Sequence, residues 1–187
     1  MKQNAFFMKY FFTKNQFQIM QLSTERAVLT LIEQKDFKEV IDSFREEGAV
    51  KYIKHLQNLS NSEYADFLEK KRLLSQNEHL YYWVVREKET QNYIGTMGLT
   101  PYLDSDSVFH IGFRVSKDFQ GQRFATELGK AVIDFVKNEL KHQLIFALVM
   151  EENVVSKTLL KKLGFEFERT KFNADYQIQL ETYKLNF

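Results

Sequence analysis

Residues 108–140 constrain the fold more than any other stretch. They read VFHIGFRV, then SKDFQGQR, then FATELGKAVIDFVKNEL. In the first part Phe109, Ile111, Phe113 and Val115 are apolar and point one way, while Val108, His110, Gly112 and Arg114 point the other. That alternation is a strand with one face in a core, and Gly112 leaves a hollow between a histidine and an arginine on the second face. In the third part Phe124, Leu128, Ala131, Val132, Phe135 and Val136 recur at helical spacing. The loop Gln120-Gly121-Gln122-Arg123-Phe124-Ala125 feeds that helix. A helix N-terminus presents unpaired N–H groups and the positive end of its dipole, which suits a phosphate. A strand–loop–helix is nevertheless common, and alone it identifies nothing.

The rest of the chain narrows the class. Its 187 residues form one domain, 44% hydrophobic and 27% charged, which is ordinary for a globular protein. A net charge of +1 gives no general surface for nucleic acid or membrane. The absence of cysteine removes disulfides, thiolate zinc sites and cysteine nucleophiles, and fits a reducing cytoplasm. No apolar run reaches the roughly 20 residues of a membrane span.

Residues 1–21 are expected to stand apart from a domain over 22–187. Phe6, Phe7, Tyr10, Phe11, Phe12 and Phe17 lie among Lys2, Lys9 and Lys14, without the unbroken apolar core of a signal peptide. The stretch reads as an arm packed on its own domain, as an extension before a start near Met20, or as a segment that docks elsewhere. Next come a strand at 27–32, a helix at 35–45 and a short helix at 49–56. A further helix runs from a cap at Asn61 or Ser62 to about Leu74, with Tyr64, Phe67, Leu68 and Leu73 inward. A hairpin follows, 80–87 with 93–99, in which Gly95 and Gly98 mark close backbone approach or a bulge. The segment 100–107, holding the only proline, reads as a loop. After the central stretch, residues 144–149 read as a strand covered on both faces and parallel to the strand at 108–115. Asn153 caps a helix that ends at Gly164. Strands at 165–170 and 176–185 close the chain, and a slip of phase in the last predicts a bulge.

These pieces, in this order, resemble the GNAT acyl-CoA-dependent N-acetyltransferases, and within them the RimJ/RimL-like branch that acetylates ribosomal-protein N-termini. Leu22-Ser23-Thr24-Glu25-Arg26 is similar to the branch's opening strand. Ile94-Gly95 with Gly98-Leu99 resembles its hairpin, and Gln120 to Glu127 its acyl-CoA loop. Asn153 and Ser156 with Lys162-Leu163-Gly164-Phe165 resemble its closing motif. The resemblance implies an α+β sandwich. Its mixed, mostly antiparallel twisted sheet has about seven strands, and a parallel pair splays at the acyl-CoA site. It implies acetyl-CoA as co-substrate, no metal, and an enzyme that is a monomer or a homodimer. There are two departures. Arg123 stands where the family loop usually has a second glycine: it takes ordinary helical angles and adds charge at the phosphates, or it blocks the site. His110 stands where this branch often has a glutamate.

Direct acetyl transfer to an amine needs a neutral amine, a donor for the oxyanion and a proton or hydrogen bond for the leaving thiolate. An α-amine lies about one unit above neutral and a lysine amine about three and a half, so deprotonation costs about 1.4 against about 4.7 kcal/mol. For an N-terminal amine, a histidine near its ordinary pKa suffices as base. His110 is the candidate; otherwise it is a strand histidine on a polar face. Ser156, in the first turn of its helix, is placed to hydrogen-bond a thiolate, a role the branch also implies; the alternative is a local bond to backbone. Asn153 is both a cap and a pantetheine contact. Backbone groups of Phe113, Arg114 and Val115 are expected to pair with the pantetheine amides, and Gln120, Gly121, Gln122, Arg123, Phe124, Ala125 and Thr126 to hold the diphosphate. Tyr82 and Trp83 line an acceptor pocket or belong to the core. The reaction expected is acetyl transfer to a protein N-terminus or a small amine. A non-catalytic acyl-CoA-binding or protein-interaction module with the same fold is the alternative.

Overall fold

A computed structural model of the protein describes the backbone of residues 9–13, 16–76, 80–102 and 105–187, and the side chains of 21–76, 80–102 and 108–187. Nine strands form one sheet: β1 (Lys9–Thr13), β2 (Gln16–Ser23), β3 (Ala27–Leu31), β4 (Tyr81–Glu87), β5 (Tyr93–Tyr102), β6 (Ser105–Val115), β7 (Leu144–Met150), β8 (Glu166–Asn173) and β9 (Ile178–Asn186). Their order is β1-β2-β3-β4-β5-β6-β7-β9-β8. Every pairing is antiparallel except β6 with β7. Four helices flank the sheet: α1 (Phe37–Phe44), α2 (Asn61–Gln76), α3 (Phe124–Asn138) and α4 (Val154–Lys162). The sheet exceeds the expected seven strands because residues 9–13 and 16–23, read from sequence mostly as an arm, pair into it beside β3. Residues 1–8 lie outside the described part.

Alternation along the strands divides the core in two. On one face Trp83, Val85, Met97, Leu99, Phe109 and Ile111 pack on Phe124, Leu128, Val132, Phe135 and Val136 of α3. Phe135 and Trp83 are fully buried and meet edge to face at 5.8 Å. Each such side chain contributes about 1.5–3 kcal/mol on burial. On the other face Val84 and Tyr93 pack on Val40, Phe44, Tyr64 and Leu68 of α1 and α2. Gly129 in α3 lets α4 approach closely, since a Cβ there would lie 2.7 Å from Leu163 Cδ1.

Several boundaries move. The helix expected at 49–56 is a run of turns with one 3-10 turn at Lys54–Leu56. Ser60, not Asn61 or Ser62, caps α2, in a reciprocal box with Glu63: Glu63 N–H donates to Ser60 Oγ and Ser60 N–H to the Glu63 carboxylate. Leu73 is exposed rather than inward. Pro101 lies within β5 at an irregularity between Pro101 and Tyr102, where a missing N–H is tolerated. The late bulge falls in β8, between Phe167 and Arg169, and Tyr176 precedes β9 rather than opening it.

Candidate active site

The parallel pair is short. Phe109, His110 and Ile111 pair with Ile145, Phe146 and Ala147, and beyond them β6 and β7 separate. From Gly112 to Val115, β6 keeps only its β5 neighbour. Ser116 N–H donates to Ile94 O at 2.8 Å. Backbone groups alternate sides along a strand. Gly112 and Arg114 therefore bond toward β5, while the N–H and C=O of Phe113 and Val115 face the opening. Gln120 Nε2 reaches Val115 O from that side, at 3.1 Å. The expected backbone contacts thus divide, with Phe113 and Val115 on the open edge and Arg114 off it.

The loop that follows bends at Gly121, with φ +75°, and at Arg123, with φ +67° and ψ +8°. Arg123 does not take the ordinary helical angles expected of it. It holds the left-handed conformation that explains a glycine in the family loop and that costs a residue with a Cβ about 1–2 kcal/mol. Its side chain is exposed, as are Gln120, Gly121 and Gln122, so it does not fill the bend. No side chain caps the start of α3, which leaves its first N–H groups and dipole facing the loop. Arg26 holds this geometry. Its Nε donates to Glu127 Oε2 at 2.8 Å, its guanidinium donates to Gln122 O at 3.1 Å, and it lies 4.0 Å from the centroid of the Phe124 ring. Burial pushes the Glu127 carboxyl up, but hydrogen bonds from Thr24 and Arg26 outweigh it and hold it below the usual range. Sequence reasoning matched Arg26 to a family pattern without giving it a role. Its partner is 101 residues away.

At the start of α4, Asn153 Oδ1 accepts from Ser156 N–H at 3.1 Å, so the expected cap is present. No local bond from Ser156 Oγ to backbone occurs among the described residues, unlike Thr158 Oγ1, which bonds Val154 O at 2.9 Å.

The second face of β6 carries the other candidates. Arg114 is buried: it donates to Ser43 O at 3.1 Å, to Tyr93 OH at 2.9 Å and to Ser43 Oγ, and so ties α1 to the sheet. Neither its side chain nor its backbone is available to a cofactor. Trp83 also leaves the proposed pocket. It faces α3, stacked on Tyr81 at 5.3 Å, because neighbours in a strand point to opposite faces. Tyr82 stays on the α2 face, beside Gly98, which pairs with Gly112. Burial pushes the Tyr82 phenol well up, against a hydrogen bond with Thr96. A Cβ at Gly112 would meet nothing within 4 Å, so the hollow is open.

His110 borders that hollow. Burial first, then the charge of Lys71, push its pKa down to about 4, against a hydrogen bond to the Pro101 carbonyl. A neutral histidine that donates from one nitrogen to a carbonyl keeps a bare lone pair on the other. Nδ1 is that atom: it is buried and has no partner. His110 is therefore a weaker base than the near-ordinary histidine expected. Full proton transfer to it from an α-ammonium would be uphill by about four units, or about 5 kcal/mol.

Among the described residues no group of acidic, histidine or cysteine side chains could hold a metal ion, and no helix is long and apolar enough to cross a membrane. A cleft of about 430 Å³ is lined by Glu39, Asp42, Glu46 and Asp118 together with Ser43 and Tyr93. Its carboxylates would repel a diphosphate, and none of Gly112, His110, Arg123 or Ser156 lines it.

A sheet whose parallel pair opens beside an uncapped helix, with open backbone edge between the two, suits an extended ligand that carries a phosphate at one end. The acetyltransferase (GNAT) domain model matches residues 26–166, and the chain belongs to that family. It is an acetyl-CoA-dependent N-acetyltransferase. It is similar to the uncharacterized N-acetyltransferase YoaA of Bacillus subtilis, with 26% identity over 157 residues, 83% of this chain and 88% of YoaA. Its fold matches the ribosomal-protein alpha-N-acetyltransferase RimL in complex with coenzyme A, at TM-score 0.78 and 13% identity, over 88% of this chain and 96% of RimL. It also matches spermidine N-acetyltransferase from Vibrio cholerae with CoA and spermine, at TM-score 0.71 and 18% identity, over 86% and 95% of the two chains.

Proposed function

We propose that the protein acetylates a primary amine that enters from the α2 face at the Gly98–Gly112 hollow, while acetyl-CoA lies along the opening between β6 and β7. Acetyl-CoA supplies the activated acetyl group. The Gln120–Thr126 bend and the first turn of α3 hold the diphosphate, with the Arg123 guanidinium free to add charge. Phe113 and Val115 offer backbone donors and acceptors to the pantetheine amides. Asn153 sets the start of α4, and Ser156 Oγ donates to sulfur as negative charge develops there.

The observation that carries this reading is the open Gly112 hollow beside the point where the strands part, with a neutral His110 at its border. A weak base there does not strip a proton from an ammonium. It takes a hydrogen bond from an amine already neutral, orients the nitrogen lone pair, and accepts the proton once bonding to the acetyl carbon has made that nitrogen acidic. An α-amine, neutral at a cost of about 1.4 kcal/mol at pH 7, suits such a site better than a lysine-like amine. The test is thiol release from acetyl-CoA over a panel of peptides with free N-termini, amino-acid derivatives and polyamines. Turnover is expected with α-amines, and no turnover with any amine overturns the reading.

A further inference from the structure

The hollow is lined by more than a base. Lys71, on α2, lies 5.5 Å from the Phe67 ring centroid and 6.0 Å from that of Tyr82. Phe67 meets Tyr82 edge to face at 6.2 Å, and His55, at the exposed rim, packs on Phe67 at 5.7 Å. Tyr82 stands opposite Gly98, and Gly98 opposite Gly112. Lys71, His55 and His110 thus surround one aromatic wall of the site, and the charge of Lys71 acts on both histidines.

Among the described residues, no carboxylate balances this group. Among those residues Lys71 has no ion pair, and none of their acidic side chains acts on His55, Lys71, Tyr82 or His110. Burial and then Lys70 hold the Lys71 ammonium below the usual lysine range. A half-buried cation is normally paired. Two aromatic faces offset only part of its desolvation, and the nearby histidines add repulsion when protonated. On α2, Glu63 bonds Ser60 and Glu69 bonds Arg72, and Asp66 is not among the groups that act on Lys71.

We infer that the acceptor is an amine carrying an anionic group, whose carboxylate Lys71 receives beside Tyr82 while the amine reaches the Gly112 hollow. The inference rests on the acetyltransferase reading and narrows its acceptor. Two sources share that chemistry, a free amino acid and a peptide N-terminus followed by an acidic residue. A polyamine does not share it, since a second cation in this hollow meets Lys71.

The experiment uses the full chain with acetyl-CoA and matched acceptors: leucine with leucinamide, glycine with glycinamide, and Ala-Asp with Ala-Asn peptides, both amidated at the C-terminal carboxyl. Rates are referred to the free-base fraction of each amine. The anionic member of at least one pair is expected to have a kcat/KM tenfold or more above its neutral partner, and the pair that does so identifies the source. Lys71→Gln should reduce that ratio to about threefold or less at an unchanged KM for acetyl-CoA, since any change it makes at His110 is common to both members of a pair. Lys71→Arg should keep the preference. Equal rates within all pairs, or a Lys71→Gln variant that slows both members alike, overturn the inference and leave the acetyltransferase reading standing. No acetylation of any amine sinks both. Folding of the variants is read independently from acetyl-CoA affinity, and raising ionic strength on the native protein should erode the preference without any substitution.

Discussion

Removing the Arg26 side chain should weaken acetyl-CoA binding although Arg26 lies in a turn before β3 and outside the diphosphate loop. Arg26→Ala deletes an ion pair whose side chains are 41% and 21% exposed, worth about 0.5–1 kcal/mol at such exposure. It also deletes the stack on Phe124, worth about 0.5–1 kcal/mol. The bond to Gln122 O is exposed, and water replaces it. Glu127 keeps its bonds to the Arg26 backbone N–H and to Thr24, so the domain should lose only about 1–2 kcal/mol in urea unfolding. The loop is affected differently. Arg123 holds a left-handed conformation that costs about 1–2 kcal/mol, and without the Arg26 side chain the contacts to Gln122 O and the Phe124 ring on either side of it are lost. Ligand binding must then re-impose the bend, which raises Kd for acetyl-CoA about 5–30-fold by calorimetry. Glycine adopts the same angles without strain, so Arg123→Gly in the Arg26→Ala background should recover most of the affinity. An Arg26→Ala variant that is less stable yet binds acetyl-CoA as tightly as the native protein would refute the reasoning. So would a double variant that binds no better than Arg26→Ala.

The remaining predictions concern the reacting groups. His110→Ala should lower kcat about tenfold to a hundredfold and leave acetyl-CoA affinity unchanged by calorimetry; equal losses in both would remove it from proton transfer. Ser156→Ala should slow transfer about tenfold at an unchanged melting temperature, since the Asn153 cap bonds the backbone N–H that alanine retains; an unchanged kcat would exclude it. His110 also ties stability to pH. Its folded pKa, about 4, lies below the unfolded value of about 6.5. The unfolded chain therefore binds more protons between them, and stability is complete above about pH 6.5 and is lost as pH falls toward 4. Between pH 7 and pH 5 the native protein should lose about 2 kcal/mol more than His110→Ala in urea unfolding. Equal losses would mean that the histidine is not held neutral.

Much of the frame was legible in the residues alone. The stripe from Phe124 to Val136, the alternation around Ile111, the Asn153 cap and the stop at Gly164, with φ +92°, are local properties. Side-chain period and backbone preference act over a few residues and need no knowledge of the fold. The order of those elements identified the family, and the family implied the cofactor. The site itself was only partly legible. Trp83 and Tyr82 are adjacent aromatics of similar promise, and which layer covers which face sent one to the core and the other to the hollow. Arg114, on the same strand face as His110, was captured by Ser43 and Tyr93 instead of facing ligand. His110 became a weak base only when α2 and the end of β5 at Pro101 enclosed it. Arg26 met Glu127 across 101 residues, and Lys71 met two histidines that no spacing in the chain relates to it. From residue 27 onward the sequence alone determined most of the elements and their order, because those follow from neighbours along the chain. Only the tertiary structure decided which charges are paired, which are stranded and which face the reaction, because desolvation and long-range contact exist only after the layers have packed.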